Sequence, residues 1–325
     1  MFLFRFSYLV PISILFLCCV CYSCKKSTIE PQSINSVDVA TAFQLNQIIW
    51  VNDSLGYIVG GDKYTASVLL TTVDGGHHWN NYTLKDQESK GVYGIGYNGI
   101  KAYAVGYDGK WYSPILSDYS WVRHQLPEWK WLHHIVFTHA NKAFVTMGDG
   151  LSTGKIYQID TLGTVLKVDS FPYRLADIKF INENVGFVTA YGAIITTKDA
   201  GNTWQQLNVK GDFFTSISIV GNALWAVGYN GTIVHSNDVG ATWNKLRNGD
   251  SPMNAKIRFR YCVFTDAQTG YAVGDKGLLM KTTDGGIHWV SIATHTEQDL
   301  MHLAVDSHNT LWVVGSGGTV LHINP

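Results

Sequence analysis

The body of this chain has almost no cysteine. Of the five cysteines, Cys18, Cys19, Cys21 and Cys24 lie at the N-terminal end, and only Cys262 stands beyond them. A lone thiol forms no disulfide framework, so packing must hold the fold. Cys262, in RYCVFTD, alternates with apolar neighbours and reads as a small buried hydrophobe. Charge is also scarce. Charged residues make up 15% and the net charge is −1, so there is no basic excess for nucleic acid and no acidic tail for a cationic partner. No glycine-rich phosphate loop occurs, and beyond Cys24 there is no Cys-x-x-Cys pair, so no cofactor is expected. Proline is rare, at 7 residues.

What is abundant points one way. The chain has 325 residues, 46% of them apolar, with 17 Tyr, 14 Phe, 11 Trp and 32 Gly. Aromatic and β-branched residues favour strands, and glycine favours many tight turns. The length suits one large all-β domain or two smaller ones.

The N-terminus, MFLFRFSYLVPISILFLCCVCYSCKK, has one cation, Arg5, and then an apolar run from about Tyr8 to Val20. That run is short for a membrane-spanning helix and reads as a signal segment. Its end, CYSCKKS, resembles a bacterial lipoprotein cleavage box. The resemblance implies a cut after Ser23 and a lipid on Cys24, with Cys21 as a second candidate. The alternatives are an ordinary secretory signal or a membrane-anchored N-terminus. The expected layout is a signal peptide over 1–23, a tether and closing strand over 24–40, and the folded body over 41–325. The membrane would be met only through the lipid.

The body repeats. Thr72-x-Asp74-x-Gly76-x-x-Trp79 recurs with Thr197, Asp199, Gly201 and Trp204, with Ser236, Asp238, Gly240 and Trp243, and with Thr282, Asp284, Gly286 and Trp289. The copy at 71–80, TTVDGGHHWN, holds two histidines, yet the other copies carry Asn-Thr, Ala-Thr and Ile-His there. The constant part is therefore a turn and not a metal site. A second signal is a short aromatic strand: GYIVG, AYAVG, AFVTMG, GFVTA, LWAVG, GYAVG and LWVVG, centred on Tyr57, Tyr103, Phe144, Phe187, Trp225, Tyr271 and Trp312. A spacing of about 40–45 residues, with several short strands in each unit, is the signature of propeller blades. The expected fold is an all-β, seven-bladed propeller of four-stranded antiparallel blades. The last unit has room for only three strands, so a strand within 33–43 is expected to complete it.

The repeated Ser/Thr-x-Asp-x-Gly-x-x-Trp resembles the Asp-box, or BNR repeat. The fuller VGYNGTIVHSNDVGATWNKL (227–246) is similar to the photosystem II assembly/stability factor family, which implies a seven-bladed propeller and an assembly role. Blades two and three depart from the pattern: SDYSWV (117–122) is shortened, and QIDTLGTV (158–165) has Val165 in place of Trp. Physically the box is a turn. The Asp carboxylate accepts backbone N–H bonds, Gly takes the positive φ, and Trp is an apolar plug packed beneath the turn. Asp74, Asp199, Asp238 and Asp284, with Trp79, Trp204, Trp243 and Trp289, are thus read as structural.

A ligand site is expected on the opposite face. There the loops between second and third strands carry Asp62, Lys63, Tyr107, Asp108, Asp149, Tyr191, Tyr229, Asn230, Asp275 and Lys276. The links between blades add Trp129 and Trp131 in PEWKWLHH, Tyr173 and Arg174 in FPYR, and Lys256, Arg258 and Arg260. Trp129 and Trp131 could stack on a sugar or anchor a peptide, or else pack between blades. Arg258 and Arg260 could bind a carboxylate or phosphate, or form a solvated strand end. His133-His134 lacks a third ligand at metal-binding spacing, so no metal is expected.

The leading functional expectation is a non-catalytic scaffold at the cell envelope that binds a protein or peptide. The runner-up is a carbohydrate-binding propeller or a sialidase-like glycoside hydrolase. Sialidases, as that resemblance implies, grip a carboxylate with three arginines and carry a Phe-Arg-Ile-Pro motif. Here that motif is absent, and the body has only Arg123, Arg174, Arg247, Arg258 and Arg260.

Overall fold

The computed structural model describes residues 28–82, 89–114, 120–209 and 211–325. Both lipid-site candidates, Cys21 and Cys24, lie outside them, as does part of the 117–122 stretch. Seven antiparallel sheets follow one another along the chain. Their innermost strands are Leu45–Trp50, Val92–Tyr97, Leu132–His139, Leu175–Phe180, Phe214–Val220, Phe259–Phe264 and Leu300–Val305. Each inner strand touches the next, and the seventh touches the first, so the sheets close into a ring. The chain is a seven-bladed β-propeller.

The closing strand lies where the sequence puts it. Ser33–Ser36 pairs antiparallel with Val320–Asn324 and completes the last blade. One strand is unforeseen. Thr28–Ile29 runs parallel to Val290–Ile292 and gives blade six a fifth strand. The start of the described chain is thus fastened to two neighbouring blades, which covers two sheet edges.

The two repeated signals meet in space. In each complete box, the Ser/Thr hydroxyl accepts the Gly N–H at 2.9 Å and donates to the Asp at 2.8–2.9 Å. The same carboxylate accepts the N–H of the residue before Trp at 2.8–3.0 Å. The glycine then sits on the aromatic of the preceding blade. A Cβ on Gly76 would meet Trp312 at 2.3 Å, one on Gly201 would meet Phe144 at 2.3 Å, and one on Gly240 would meet Phe187 at 2.8 Å. The turn is therefore also the seam between blades. The second histidine of HHW has a place in it. His78 Nδ1 lies 2.6 Å from the second Asp74 oxygen, and His288 repeats this with Asp284 at 2.7 Å. Thr203 and Thr242 donate to the same oxygen in the other copies.

The box tryptophans depart from the expected plug. Trp79, Trp204, Trp243 and Trp289 are all half-buried. The Gly of each box, and not the Trp, holds the fully buried place, because the aromatic of the neighbouring blade already fills the space beneath the turn. The tryptophans instead lie over the outer margin of the core with their edges toward other rings. Trp204 stands 6.2 Å from both Phe144 and Phe180, and Trp289 stands 5.9 Å from Phe264 and 6.4 Å from Phe259. Trp243 covers the core cluster that contains Phe187 and Leu224. Nor are the four equivalent. The Trp243 and Trp289 indoles donate to the Gly carbonyl of their own box, at 3.0 and 2.9 Å, whereas the buried Nε1 atoms of Trp79 and Trp204 have no partner.

Blade three manages without the full box. Asp160 still accepts the N–H groups of Leu162 and Thr164, while Gly163, at φ +83°, lies against Trp111.

Candidate functional site

Every inner strand carries a register shift in its first residues, at Leu45/Gln47, Val92/Gly94, Leu132/His134, Leu175/Ile178, Phe214/Ser216, Phe259/Tyr261 and Leu300/His302. A bulge bends its strand and re-aims a side chain. It also frees a backbone N–H, which a neighbouring blade satisfies. Gln47 accepts from Ile95 N–H, Asp177 from Ile217 N–H and Ser216 from Cys262 N–H. Seven bulges at one end of the ring open a cavity of about 690 Å³ on the face of the second-to-third strand loops.

The cavity gathers residues from most blades. Tyr93, Trp131, Arg174, Tyr191, Phe213, Tyr229 and Arg260 form its wall. The central feature is Arg174. Its guanidinium lies 5.3 Å from the Trp131 ring centre and 5.5 Å from that of Phe213. It makes no ion pair or side-chain hydrogen bond with a described residue, and its buried Nε is unpartnered. Burial pulls its pKa down and the field of Asp149 opposes this. A stacked guanidinium without a carboxylate is a planar donor set held ready for an incoming acceptor.

The aromatic row continues outward. Lys63 Nζ sits 4.8 Å from the Trp131 ring and 4.9 Å from the Tyr107 ring, with Tyr64 beside it at 5.2 Å. Tyr93 packs on Trp131 at 5.0 Å, and burial pushes its hydroxyl up to about 12.

The candidate residues sort as follows. Trp131, Arg174, Tyr191, Tyr229 and Arg260 line the cavity. Trp129 does not. It is 66% exposed, outside the wall, with Lys110 Nζ 5.6 Å from its ring. Tyr173 points away, stacked on Phe171 with its hydroxyl 3.4 Å from Gln206. Arg260 is already neutralised, because its Nε donates to Asp275 at 2.6 Å and a terminal nitrogen donates to Asp299 at 3.2 Å. Arg258 stacks on Tyr229 at 4.9 Å and reaches Asp275 only at 3.5 Å. Lys276 holds a left-handed turn at φ +56° and gives its N–H to Asp299. His133 is buried on the Gly148 carbonyl, while His134 faces Asp177 at 3.7 Å. Cys262 is buried, and burial pushes its thiol up to about 12, which makes it inert.

Sequence reading did not single out Phe213, Tyr93, Tyr261 or His302. The floor of the cavity holds His134, Tyr261 and His302. Behind it Lys179, from blade four, donates to the Tyr261 hydroxyl at 2.7 Å across to blade six. His302 is 4% exposed and stacks on Tyr261 at 3.6 Å, yet neither ring nitrogen has a partner. Each such orphan costs about 1–3 kcal/mol when buried.

Known proteins bear on this arrangement. A family model described as "Photosynthesis system II assembly factor YCF48" matches residues 163–251 and 251–325, half of the chain. The chain belongs to this family. The photosystem II stability/assembly factor HCF136 of Oryza sativa subsp. japonica is 26% identical over 145 residues, covering 41% of this chain and 34% of that protein. Its Arabidopsis thaliana counterpart is 24% identical over the same length, covering 41% and 35%. The match thus spans about a third of the length of these curated relatives. Among solved structures, YCF48 bound to D1 peptide superposes with a TM-score of 0.72 at 16% identity, covering 92% of this chain and 99% of that one. YCF48 from Cyanidioschyzon merolae gives 0.69 at 15% identity, with 90% and 99% covered. U3-55K also gives 0.69 at only 9% identity, with 90% and 99% covered, so the superpositions speak for the fold alone.

Proposed function

We propose that this member of the assembly-factor family is a non-catalytic propeller that holds an extended segment of a partner protein across its cavity, tethered to a membrane by a lipid on Cys24. The observation that carries the reading is Arg174, stacked between Trp131 and Phe213 with its donors unspent. Aromatic anchors beside a desolvated arginine are what binding hot spots are made of. A peptide backbone or an acidic side chain supplies acceptors for the guanidinium, and its apolar side chains fit the Tyr and Trp walls. YCF48, a related propeller, has been solved with a D1 peptide. A two-carboxylate glycosidase mechanism has little to work with here, because no Asp or Glu stands among the described residues that line the cavity. Several acids around the cavity are engaged: Asp275 and Asp299 by Arg260, Asp212 by the N–H groups of Asn230 and Thr232, and Asp177 by the Ile217 N–H and the Ser216 hydroxyl.

The test is crosslinking capture from membranes with the full-length chain, followed by titration of the captured protein's segments. Trp131→Ala and Arg174→Ala should each weaken binding at least about tenfold, with Trp129→Ala near neutral. Equal binding by all four proteins, or release of sugar from a glycan, would overturn the reading. Replacing Cys24 with Ser should abolish incorporation of labelled fatty acid. If it does not, and Cys21→Ser does, the anchor moves to Cys21.

A further inference from the structure

Beyond the mouth, the third polar position of the inner strands forms a layer across the ring. In blades one, four and five its side chains are satisfied by neighbouring blades: Gln47 by Ile95 N–H, Asp177 by Ile217 N–H and the Ser216 hydroxyl, and Ser216 also by Cys262 N–H. In blades six and seven the same layer presents Tyr261 and His302, and these face the cavity instead.

Their hydrogen-bonding capacity is lopsided. Tyr261 oxygen already accepts from Lys179 ammonium at 2.7 Å, so its own O–H proton is free to point elsewhere. Burial pushes the Tyr261 pKa up and Lys179 opposes this, and the group remains a phenol. His302, 4% exposed, has both ring nitrogens buried and without a partner. Burial, then the charges of Lys179 and His134, hold it well below the usual histidine range, so it is a neutral ring with one N–H to give. Of these two, Lys179 is the cation, because burial also lowers the pKa of His134. Lys179 itself keeps its charge: burial works against it, and Tyr261 and Asp177 outweigh burial. The inner strand of blade five, between them, carries the small side chains Thr215, Ser216 and Ser218, and the Lys179–Tyr261 bond reaches across it.

We propose that this floor is a second binding site, distinct from the wall at Arg174, and that it takes a carboxylate, with Tyr261 O–H and a His302 ring N–H donating to its oxygens and Lys179 supplying the compensating charge. The carboxylate can belong to a free acid or to the end of a peptide chain. The site does not depend on the partner-binding reading at the mouth, and each can fail alone.

The experiment titrates the full chain, with isotope-labelled histidine, against acetate and follows the His302 ring resonances, assigned with His302→Gln. Acetate should shift them saturably, and acetamide, of the same shape without charge, should not. Lys179→Met should weaken acetate binding at least about tenfold and Tyr261→Phe severalfold. Tyr261→Phe retains the ammonium, so it reports even if Lys179→Met does not fold. Trialanine with a free C terminus, compared with its amide, separates the sources. Binding of acetate and of the free-ended peptide indicates a chain end, and binding of acetate alone indicates a small acid. Resonances that ignore acetate, equal affinity in the variants, or crystals grown with formate in which only water caps His302 would each overturn the proposal.

Discussion

At the scale of single residues, the turn carboxylates and Arg174 behave oppositely. The carboxylates are fully committed to their own loops. Backbone N–H bonds from Thr203 and His288, with side-chain bonds from Thr203, Thr242 and His288, hold Asp199, Asp238 and Asp284 down to about 2. A carboxyl depressed on folding lends stability above its unfolded value of about 4, and that contribution fades as pH falls toward 2. Denaturant midpoints should therefore drop on acidification through this window, and Asp→Asn changes at the three turns should flatten the drop. An unchanged slope would show that other acids govern it. Arg174 is the uncommitted group, so its planar shape matters as well as its charge. Arg174→Lys should lose about tenfold in partner affinity despite keeping the cation, while thermal stability stays close to wild type, as calorimetry would show.

At the scale of elements, the inner strand is the functional unit and the turn before the outer strand is the repeated signal. That turn recurs with Asp, Gly and Trp because one turn geometry fits every seam, so four of the seven blades were readable from 71–80 and its copies. What the repeat did not tell was the division of labour within it. The spacing places Trp204, Trp243 and Trp289 under the turn, but which ring fills that space depends on the preceding blade, whose aromatic lies about forty residues or more away in sequence. The bulges carry no such signature. They arise from pairing between strands, and the sequence around them varies from Leu45-Asn46-Gln47 to Leu300-Met301-His302. The site residues they aim are consequently dispersed. Arg174 and Trp131 could be placed on the correct face from their position in blade links, but Phe213 as the second half of the clamp could not, nor could Arg260's neutralisation by Asp275 and Asp299. Trp129 and Trp131 looked equivalent by spacing, and only the start of the strand at Leu132 separates them. Two inner-strand glycines let blades two and three approach. A Cβ on Gly94 would stand 2.5 Å from the His133 carbonyl oxygen and 2.8 Å from His134 Cα. Gly94→Ala should destabilise the protein by about 1–3 kcal/mol in denaturant unfolding, since the His133–His134 backbone leaves nowhere to yield.

At the scale of the whole molecule, each boxed blade leans on the one before it through its box glycine, and the first leans on the last through Gly76 and Trp312. The ring is therefore one cooperative object whose strength depends on closure. Removing residues through Ser36 would bare the outer edge of Val320–Asn324 and withdraw the fifth strand of blade six. The truncated chain should show a lower Tm and a concentration-dependent rise in mass by light scattering, as open edges pair with each other. A monomer of unchanged Tm would mean that the last blade stands on three strands.

That same closing strand sets a timetable. Gln32 and Asn324 are hydrogen-bonded across 292 residues of chain. The segment that seals the ring is the first part of the body to be synthesised and the last to find its place. Until the ribosome has delivered the final strand, it has no partner, and loop-closure entropy must be met before that contact gives anything back. Refolding should accordingly end in a slow phase that is lost when the closing strand is removed, with the unfinished ring most open to aggregation or to a chaperone in the interval.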